Sequence, residues 1–108
     1  MAKKLEISDL YDTYAPLLTE KQSLALDLYY NEDLSLSEIA EQTGISRQGV
    51  RDQIKHGEML LSFYEEKLSL CEKYQKTQKL ILELEKVAED GENEKLKFIL
   101  SQLRLIYE

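Results

Sequence analysis

The run from Arg47 to Asp90 contains no proline and no strong helix stop, and it sets the strongest limit on the fold of this chain. The whole sequence of 108 residues has four glycines and one proline. Sheet proteins need many turns, and turns depend heavily on these two residue types. The sequence therefore predicts an all-α helical bundle with a long helix followed by a C-terminal helix. Because one helix over the whole run would be too long for a small protein, we expect a break between Glu65 and Glu72.

Helix starts are marked by side chains that can cap free backbone amides. Thr19 with Gln22, and Ser35 with Glu38, have the spacing of capping boxes, and Ser46 is a third N-cap candidate. Together with the apolar spacing, these signals predict helices over residues 5–14, 20–30, 36–42 and 93–106. The predicted buried positions are Leu24, Ala25, Leu28 and Tyr29 in the second helix, and Leu96, Ile99, Leu100, Leu103 and Ile106 in the last.

Residues 36–55, LSEIAEQTGISRQGVRDQIK, have the pattern of a helix-turn-helix. This motif needs a small residue where its helices cross, a glycine in the turn and an apolar residue that locks the second helix. Ala40, Gly44 and Val50 occupy those three places. The other predicted core residues of the motif are Ile39, Ile45 and Ile54.

The second helix of the motif carries a candidate nucleic-acid-binding surface. A major-groove reader presents its N-terminal side chains to base edges and its cations to phosphates. Arg47 and Gln48 could read guanine and adenine edges, and Ser46 could bind a phosphate at the helix N-terminus. The candidate contact residues are Ser46, Arg47, Gln48, Arg51 and Lys55, with the three cations four residues apart on one face.

The alternative interpretation of this surface is an ordinary solvated face. Arg51 and Lys55 would then be paired with Asp52 or Glu58, and Asp52 would repel phosphate. The overall charge also opposes DNA binding, because 14 basic and 21 acidic residues give −7 and DNA-binding domains are usually basic. The residues alone leave both interpretations open.

The motif and its flanking residues resemble two groups of known proteins. Residues 14–61 resemble the promoter-reading carboxy-terminal domain of bacterial sigma factors, through LT-x-x-Q, LYY, DLSLSEIA and GISRQGV. Over residues 8–90, the blocks YDTYAPLLTEKQ, LYYNEDLSLSEIAEQTGISRQGVRDQIKHGE and LSFYEEKLSL resemble the YlxM-type family of small bacterial helix-turn-helix proteins. The family resemblance implies an all-helical regulatory protein without catalytic residues, associated by gene proximity with the signal recognition particle pathway.

The sequence offers little chemistry for an enzyme. It contains one histidine, His56, and one cysteine, Cys71, which on one continuous helix would lie about 22 Å apart. The sequence contains no Glu-x-x-His or His-x-x-x-His pair, which are typical spacings of metal ligands on a helix. It also contains no glycine-rich loop that could hold a phosphate. We expect no catalytic residue, metal or cofactor, with His56 at the rim of the motif and Cys71 buried. The lone cysteine is compatible with a reducing cytosol without being evidence for one. The absence of a signal peptide or long apolar stretch predicts a cytoplasmic protein without membrane insertion.

The second half of the chain carries a heptad-like apolar seam. Its residues follow a 4-3-4-3-4 spacing and are Leu70, Tyr74, Thr77, Ile81, Leu84 and Ala88. This seam packs either inside the bundle or against a second subunit. Leu70, Tyr74, Ile81, Leu84 and Ala88 are accordingly the candidate homodimer residues. We predict a helix-turn-helix domain over residues 1–67 and a helical interaction element over residues 68–108.

Three functions are compatible with the sequence. The first is a regulatory protein that binds DNA and takes part in the signal recognition particle pathway. The second is an adaptor that keeps the helix-turn-helix as a scaffold and binds protein or RNA, including components of that particle. The third is a transcription-associated protein that docks on RNA polymerase like a detached sigma domain. The arginine spacing favours the first function, and the acidic balance favours the second.

Overall fold

The computed structural model describes residues 6–107, and this part of the chain is helical with no β-strand. The α-helices are α1 (Ile7–Tyr14), α2 (Glu20–Leu26), α3 (Leu36–Thr43), α4 (Arg47–Leu68), α5 (Leu70–Asp90) and α6 (Asn93–Ile106). A 3₁₀ turn (Ala15–Leu17) follows α1, and a π-helical turn (Asp27–Asn31) extends α2. The all-α prediction is therefore confirmed.

The helices form two compact units, one ending at Leu68 and the other beginning at Ser69. In the N-terminal unit α4 is the central element, because α1, α2 and α3 all pack against it. The apolar side chains buried in this unit are Leu10, Tyr14, Ala25, Leu26, Ile39, Val50, Ile54 and Leu61. They come from four helices, so the burial of one side chain depends on the position of several helices.

The predicted caps form in the structure. Thr19 and Gln22 make a reciprocal capping box at the start of α2, and Ser35 and Glu38 make one at the start of α3. The hydrogen bond that the Ser35 backbone N–H donates holds the pKa of the Glu38 carboxyl below its usual value. These local contacts explain why α2 and α3 begin where the sequence predicts.

The buried stripe of α2 differs from the prediction. Leu26 is 1% exposed, whereas Leu24 and Tyr29 are exposed and Leu28 is half-buried. The reason is Gly57 of α4, where an added Cβ would lie 2.6 Å from Leu26 Cδ1. Because α4 has no side chain at this point, α2 approaches it most closely along its Leu26 face and turns Leu24 outward.

The long helical run breaks inside the predicted interval. Ser69 has φ 53° and ψ 26°, in the left-handed region, and separates α4 from α5. A residue with a Cβ rarely adopts this conformation, which is why the sequence signals the break poorly. Neither a glycine nor a proline marks it.

The C-terminal unit is a helical hairpin in which α5 and α6 are joined by Gly91 and Glu92. Gly91 ends α5 with φ 70°, and α6 has the predicted bounds. The hydroxyl groups of Thr77 in α5 and of Tyr107, which follows α6, lie 2.9 Å apart and connect the C-terminal end of α6 to the first half of α5. In α6 Ile99 is buried, but Leu100, predicted to be buried, is 51% exposed because the α5-facing row runs through positions 96, 99, 103 and 106. Among residues 6–107 no helix is long and apolar enough to cross a membrane.

Candidate nucleic-acid interface

The candidate interface is built on the turn between α3 and α4. Gly44 ends α3 with φ 75° and donates its N–H to the Ala40 carbonyl. Nothing lies within 4 Å of a Cβ placed on Gly44, so backbone conformation alone requires glycine here. Beyond the turn, Val50 is fully buried and Ala40 is half-buried. The three structural residues of the motif thus lie at the end of α3, in the turn and in the first turns of α4.

Ser46 caps the N-terminus of α4. Its hydroxyl oxygen accepts a hydrogen bond from the Gly49 N–H at 3.0 Å, and its carbonyl accepts one from the Val50 N–H at 2.9 Å. The first amides of a helix have no acceptor within the helix and carry partial positive charge. Since the Ser46 hydroxyl acts as an acceptor toward Gly49, its proton can still be donated to an oxygen of a bound anion.

Three exposed cations follow this capped end. Arg47, Arg51 and Lys55 are all exposed on the first turns of α4. None of the three makes a salt bridge within residues 6–107. Their Cα atoms span about 12 Å along the helix axis. All five candidate contact residues lie at the same end of α4, as two exposed polar and three exposed basic side chains.

The pairings expected for a solvated face are absent from this surface. Asp52 accepts a hydrogen bond from the Gln48 side-chain amide at 3.0 Å, and Glu58 accepts one from the Tyr30 hydroxyl at 3.0 Å. The two carboxylates therefore bind neutral donors rather than Arg51 or Lys55. In consequence the cations are available to a ligand, but Gln48 would have to leave Asp52 before its amide could read an adenine with both polar groups.

Tyr30 contributes to the electrostatics through Glu58, which lies seven residues beyond Arg51 and so on the same side of α4. Partial burial, together with the hydrogen bond to Glu58, raises the pKa of the Tyr30 hydroxyl to about 12. The ring of Tyr29 packs edge-on against that of Tyr30 at 5.0 Å between centroids. This cluster connects the π-helical turn to α4, and it gives Glu58 a neutral donor as its hydrogen-bond partner.

Two features beside the interface were missed from the sequence. A cleft of about 490 Å³ lies between α2, α3 and α4, and half-buried Ile45, predicted to belong to the core, lines it. Gly49 fits closely under the turn, because a Cβ there would lie 2.7 Å from Ile45 Cγ2. The sequence signal for Gly49 was its position one turn into α4, where the Ser46 cap lies next to the turn between α3 and α4.

The residues considered for chemistry are separate from this interface. His56 is exposed and lines a second groove in the N-terminal unit with Gln22, Met59, Leu60 and Phe63. Cys71 is buried, as predicted. No group of three or more histidine, cysteine or acidic side chains within residues 6–107 is arranged to hold a metal ion.

The candidate dimer residues are divided between two environments. Ile81 and Leu84 are half-buried on α5, whereas Leu70, Tyr74 and Ala88 are exposed. Leu84 lies seven residues beyond Thr77, which bonds α6, and therefore shares the α6-facing side. Leu84 thus contributes to the hairpin itself, and half-buried Ile81 lies between it and the exposed margin of the seam.

Comparison with known proteins shows one family. The model of the family described as "Putative helix-turn-helix protein, YlxM / p13 like" matches residues 1–99. UPF0122 proteins of Bacillus cereus (strain Q1), Bacillus anthracis (strain A0248) and Bacillus thuringiensis subsp. konkukian (strain 97-27) are each 42% identical over 105 residues. Each alignment covers 95% of this chain and 96% of the relative.

Proposed function

We propose that this chain, which belongs to the UPF0122 family of YlxM / p13-like helix-turn-helix proteins, binds duplex DNA as a regulatory protein. The contact surface is the start of α4, with Ser46, Arg47, Gln48, Arg51 and Lys55. The observation that carries this proposal is the set of three exposed cations behind a capped helix N-terminus, none of which has a salt-bridge partner among residues 6–107. Such an arrangement is suited to phosphate contacts at the edge of a major groove.

The roles of the five residues differ. Arg51 and Lys55 contact phosphates, so they supply affinity that does not depend on sequence. Arg47 and Gln48, nearer the N-terminus of α4, read base edges, and Ser46 donates its hydroxyl proton to a phosphate. Because three cations are few and the net charge is −7, binding is weak at physiological salt and strongly salt-dependent.

A specific observation supports a second function, that of a protein- or RNA-binding adaptor. Residues 6–68 carry 13 acidic and five basic side chains, a net charge of −8. A nucleic acid would meet a repulsive field everywhere except at the start of α4. In this second proposal the helix-turn-helix is a scaffold, and its partners are components of the signal recognition particle pathway.

Titration with a labelled random-sequence duplex and with signal recognition particle RNA, each at several salt concentrations, separates these proposals. The triple variant Arg47→Ala/Arg51→Ala/Lys55→Ala should lose duplex binding, and its salt slope should fall by about 0.9 for each phosphate contact removed. The matched control is Lys76→Ala/Lys79→Ala/Lys86→Ala on α5, which changes the net charge equally. Equal binding by the first variant and the wild type would exclude this surface. RNA binding without duplex binding would favour the adaptor.

Asp52→Asn provides the opposite test on the same surface. It removes a carboxylate close to the cations, and a unit charge about 4 Å away in water is worth about 1 kcal/mol. We therefore expect roughly fivefold tighter duplex binding. The control Glu41→Gln removes an exposed carboxylate from α3. An equal gain from this control would mean that only the net charge matters.

A further inference from the structure

The C-terminal hairpin exposes an apolar face to which both of its helices contribute. On α5, Tyr74, Ile81 and Ala88 are seven residues apart and share one side of the helix. On α6, Leu100 and Tyr107 share one side in the same way, with Leu103 between them. The 2.9 Å contact between the Thr77 and Tyr107 hydroxyls places these two rows side by side. We call these six residues the two-helix face.

Four of the six side chains of this face are exposed, and Ile81 and Leu103 are half-buried where the two helices meet. Tyr74 is 58% exposed, Leu100 is 51% exposed and Tyr107 is 60% exposed. Two helices alone bury little apolar surface, and large exposed patches with polar margins are typical of protein interaction sites. The other flank of the hairpin is different. There, Leu105 of α6 lines a groove with Lys76, Lys79, Leu80 and Glu83 of α5, so three of the four α5 side chains are charged.

Charge at the margins of the two-helix face identifies its occupant. Glu85 and Glu89 lie on the α5 margin, and Lys97 and Arg104 lie on the α6 margin, all exposed. Glu85, Glu89 and Arg104 make no salt bridge within residues 6–107. A twofold axis that runs parallel to the two helices would place the acidic margin of one hairpin opposite the basic margin of the other. The face is therefore complementary to itself.

Net charge supports the same occupant. Residues 69–107 carry seven acidic and seven basic side chains, so two hairpins do not repel each other as two copies of the acidic N-terminal unit would. We propose that the two-helix face binds a second copy of this chain, so that two hairpins form a symmetric four-helix bundle. The proposal is independent of nucleic-acid binding and is tested without nucleic acid.

Sedimentation of the full chain at low to high micromolar concentration tests the interface directly. The wild type should be a dimer, and Tyr74→Glu/Leu100→Glu should raise the dimer dissociation constant by about 100-fold or more, because it buries charge at the contact. Phe98→Glu/Leu105→Glu is the matched control, since both side chains are exposed on the other flank of α6. It should change the dissociation constant by less than about threefold. A monomeric wild type, or equal dissociation by the two variants, would overturn the proposal.

Charge reversal keeps the proposal testable if the first variant fails to fold. Glu85→Lys/Glu89→Lys makes both margins basic, and Lys97→Glu/Arg104→Glu makes both acidic. Each variant alone should be mainly monomeric, whereas a mixture of the two should form a heterodimer, because every basic margin then meets an acidic one. Circular dichroism checks that both variants are folded. A mixture that stays monomeric at concentrations where the wild type is dimeric would contradict the twofold arrangement.

Discussion

The two units of this protein bury apolar side chains to very different extents. Within residues 6–68 eight hydrophobic side chains are buried, drawn from α1, α2, α3 and α4, whereas in residues 69–107 the buried ones are Cys71 and Ile99. The charge differs in the opposite sense, with −8 on residues 6–68 and zero on residues 69–107. The N-terminal unit thus has a core that keeps it folded despite the repulsion among its acidic side chains. The C-terminal unit has no net charge over residues 69–107 and exposes rows of apolar side chains. The difference supports the proposal that the hairpin, rather than the N-terminal unit, binds a second copy of the chain.

Replacing one leucine by alanine in each unit should give the largest difference in unfolding free energy between the two units. Leu61 is fully buried and Leu100 is 51% exposed. Leu61→Ala should cost about 2–5 kcal/mol of unfolding free energy, because it leaves a cavity beneath three helices. Leu100→Ala should cost less than about 0.5 kcal/mol when measured at concentrations below dimer formation. Urea denaturation followed by circular dichroism measures both, and similar costs would show that the hairpin has its own core.

The contact between α2 and α4 provides the next effect. Gly57→Val should destabilise the N-terminal unit by about 1–3 kcal/mol, because the new side chain collides with Leu26. Combining it with Leu26→Ala makes room, so the double variant should lose less than the sum of the single losses. Thermal unfolding and a double-mutant cycle check this. Additive losses would mean that Gly57 has another role.

The two left-handed glycines allow a comparison at equal strain. Gly44 and Gly91 have φ values of 75° and 70°, and both have open space where a Cβ would lie. Gly44→Ala and Gly91→Ala should each cost about 1–2 kcal/mol through the backbone alone. Gly91→Ala should separate α5 from α6 more readily than Gly44→Ala separates α3 from α4, because the hairpin has less buried surface to hold its helices together. Asn at either position should cost less than Ala. Comparing hydrogen exchange of the α6 amides with that of the α3 amides distinguishes a greater opening of the hairpin from equal opening in the two units.

The smallest effect concerns the hydrogen bond between Tyr30 and Glu58. Tyr30→Phe should cost about 0.5–1.5 kcal/mol at neutral pH. Folding raises the Tyr30 pKa from 10.0 to about 12, so the folded state holds the proton more tightly than the unfolded state. This contribution is complete below about pH 10 and is lost as pH rises toward about 12. Denaturation across that range should show an alkaline loss that is smaller in Tyr30→Phe, and Glu58→Gln serves as the control that keeps an acceptor.

Much of the fold could be predicted because its signals are local. The capping boxes at Thr19 and Ser35 satisfy amides three residues away. Gly44 and Gly91 end their helices by adopting a left-handed backbone conformation that residues with side chains avoid. Such contacts lie within a few residues of sequence, so the starts of α2 and α3 and the ends of α3 and α5 follow from them without knowledge of the rest of the chain.

The candidate site could be predicted only in part. The exposed row of Arg47, Arg51 and Lys55 follows from helical spacing. The partners of nearby acids do not, since Glu58 binds Tyr30, 28 residues away, and this contact depends on how α2 and its π-helical turn approach α4. Sequence spacing suggested that Glu58 would pair with a cation, because the nearest charges along the chain are basic.

The helices, the motif at residues 36–55 and the cations on its surface follow from the amino-acid order alone, because they depend on spacing and local caps. Which face of each helix is buried depends instead on the packing of the whole chain. Leu24 lies outward and Leu26 inward because Gly57 lets α4 approach α2 at Leu26. Leu100 remains exposed because α5 covers α6 along another row. An amphipathic helix often has more apolar positions than one neighbour can cover, and the choice among them depends on the close approach of backbones far apart in sequence.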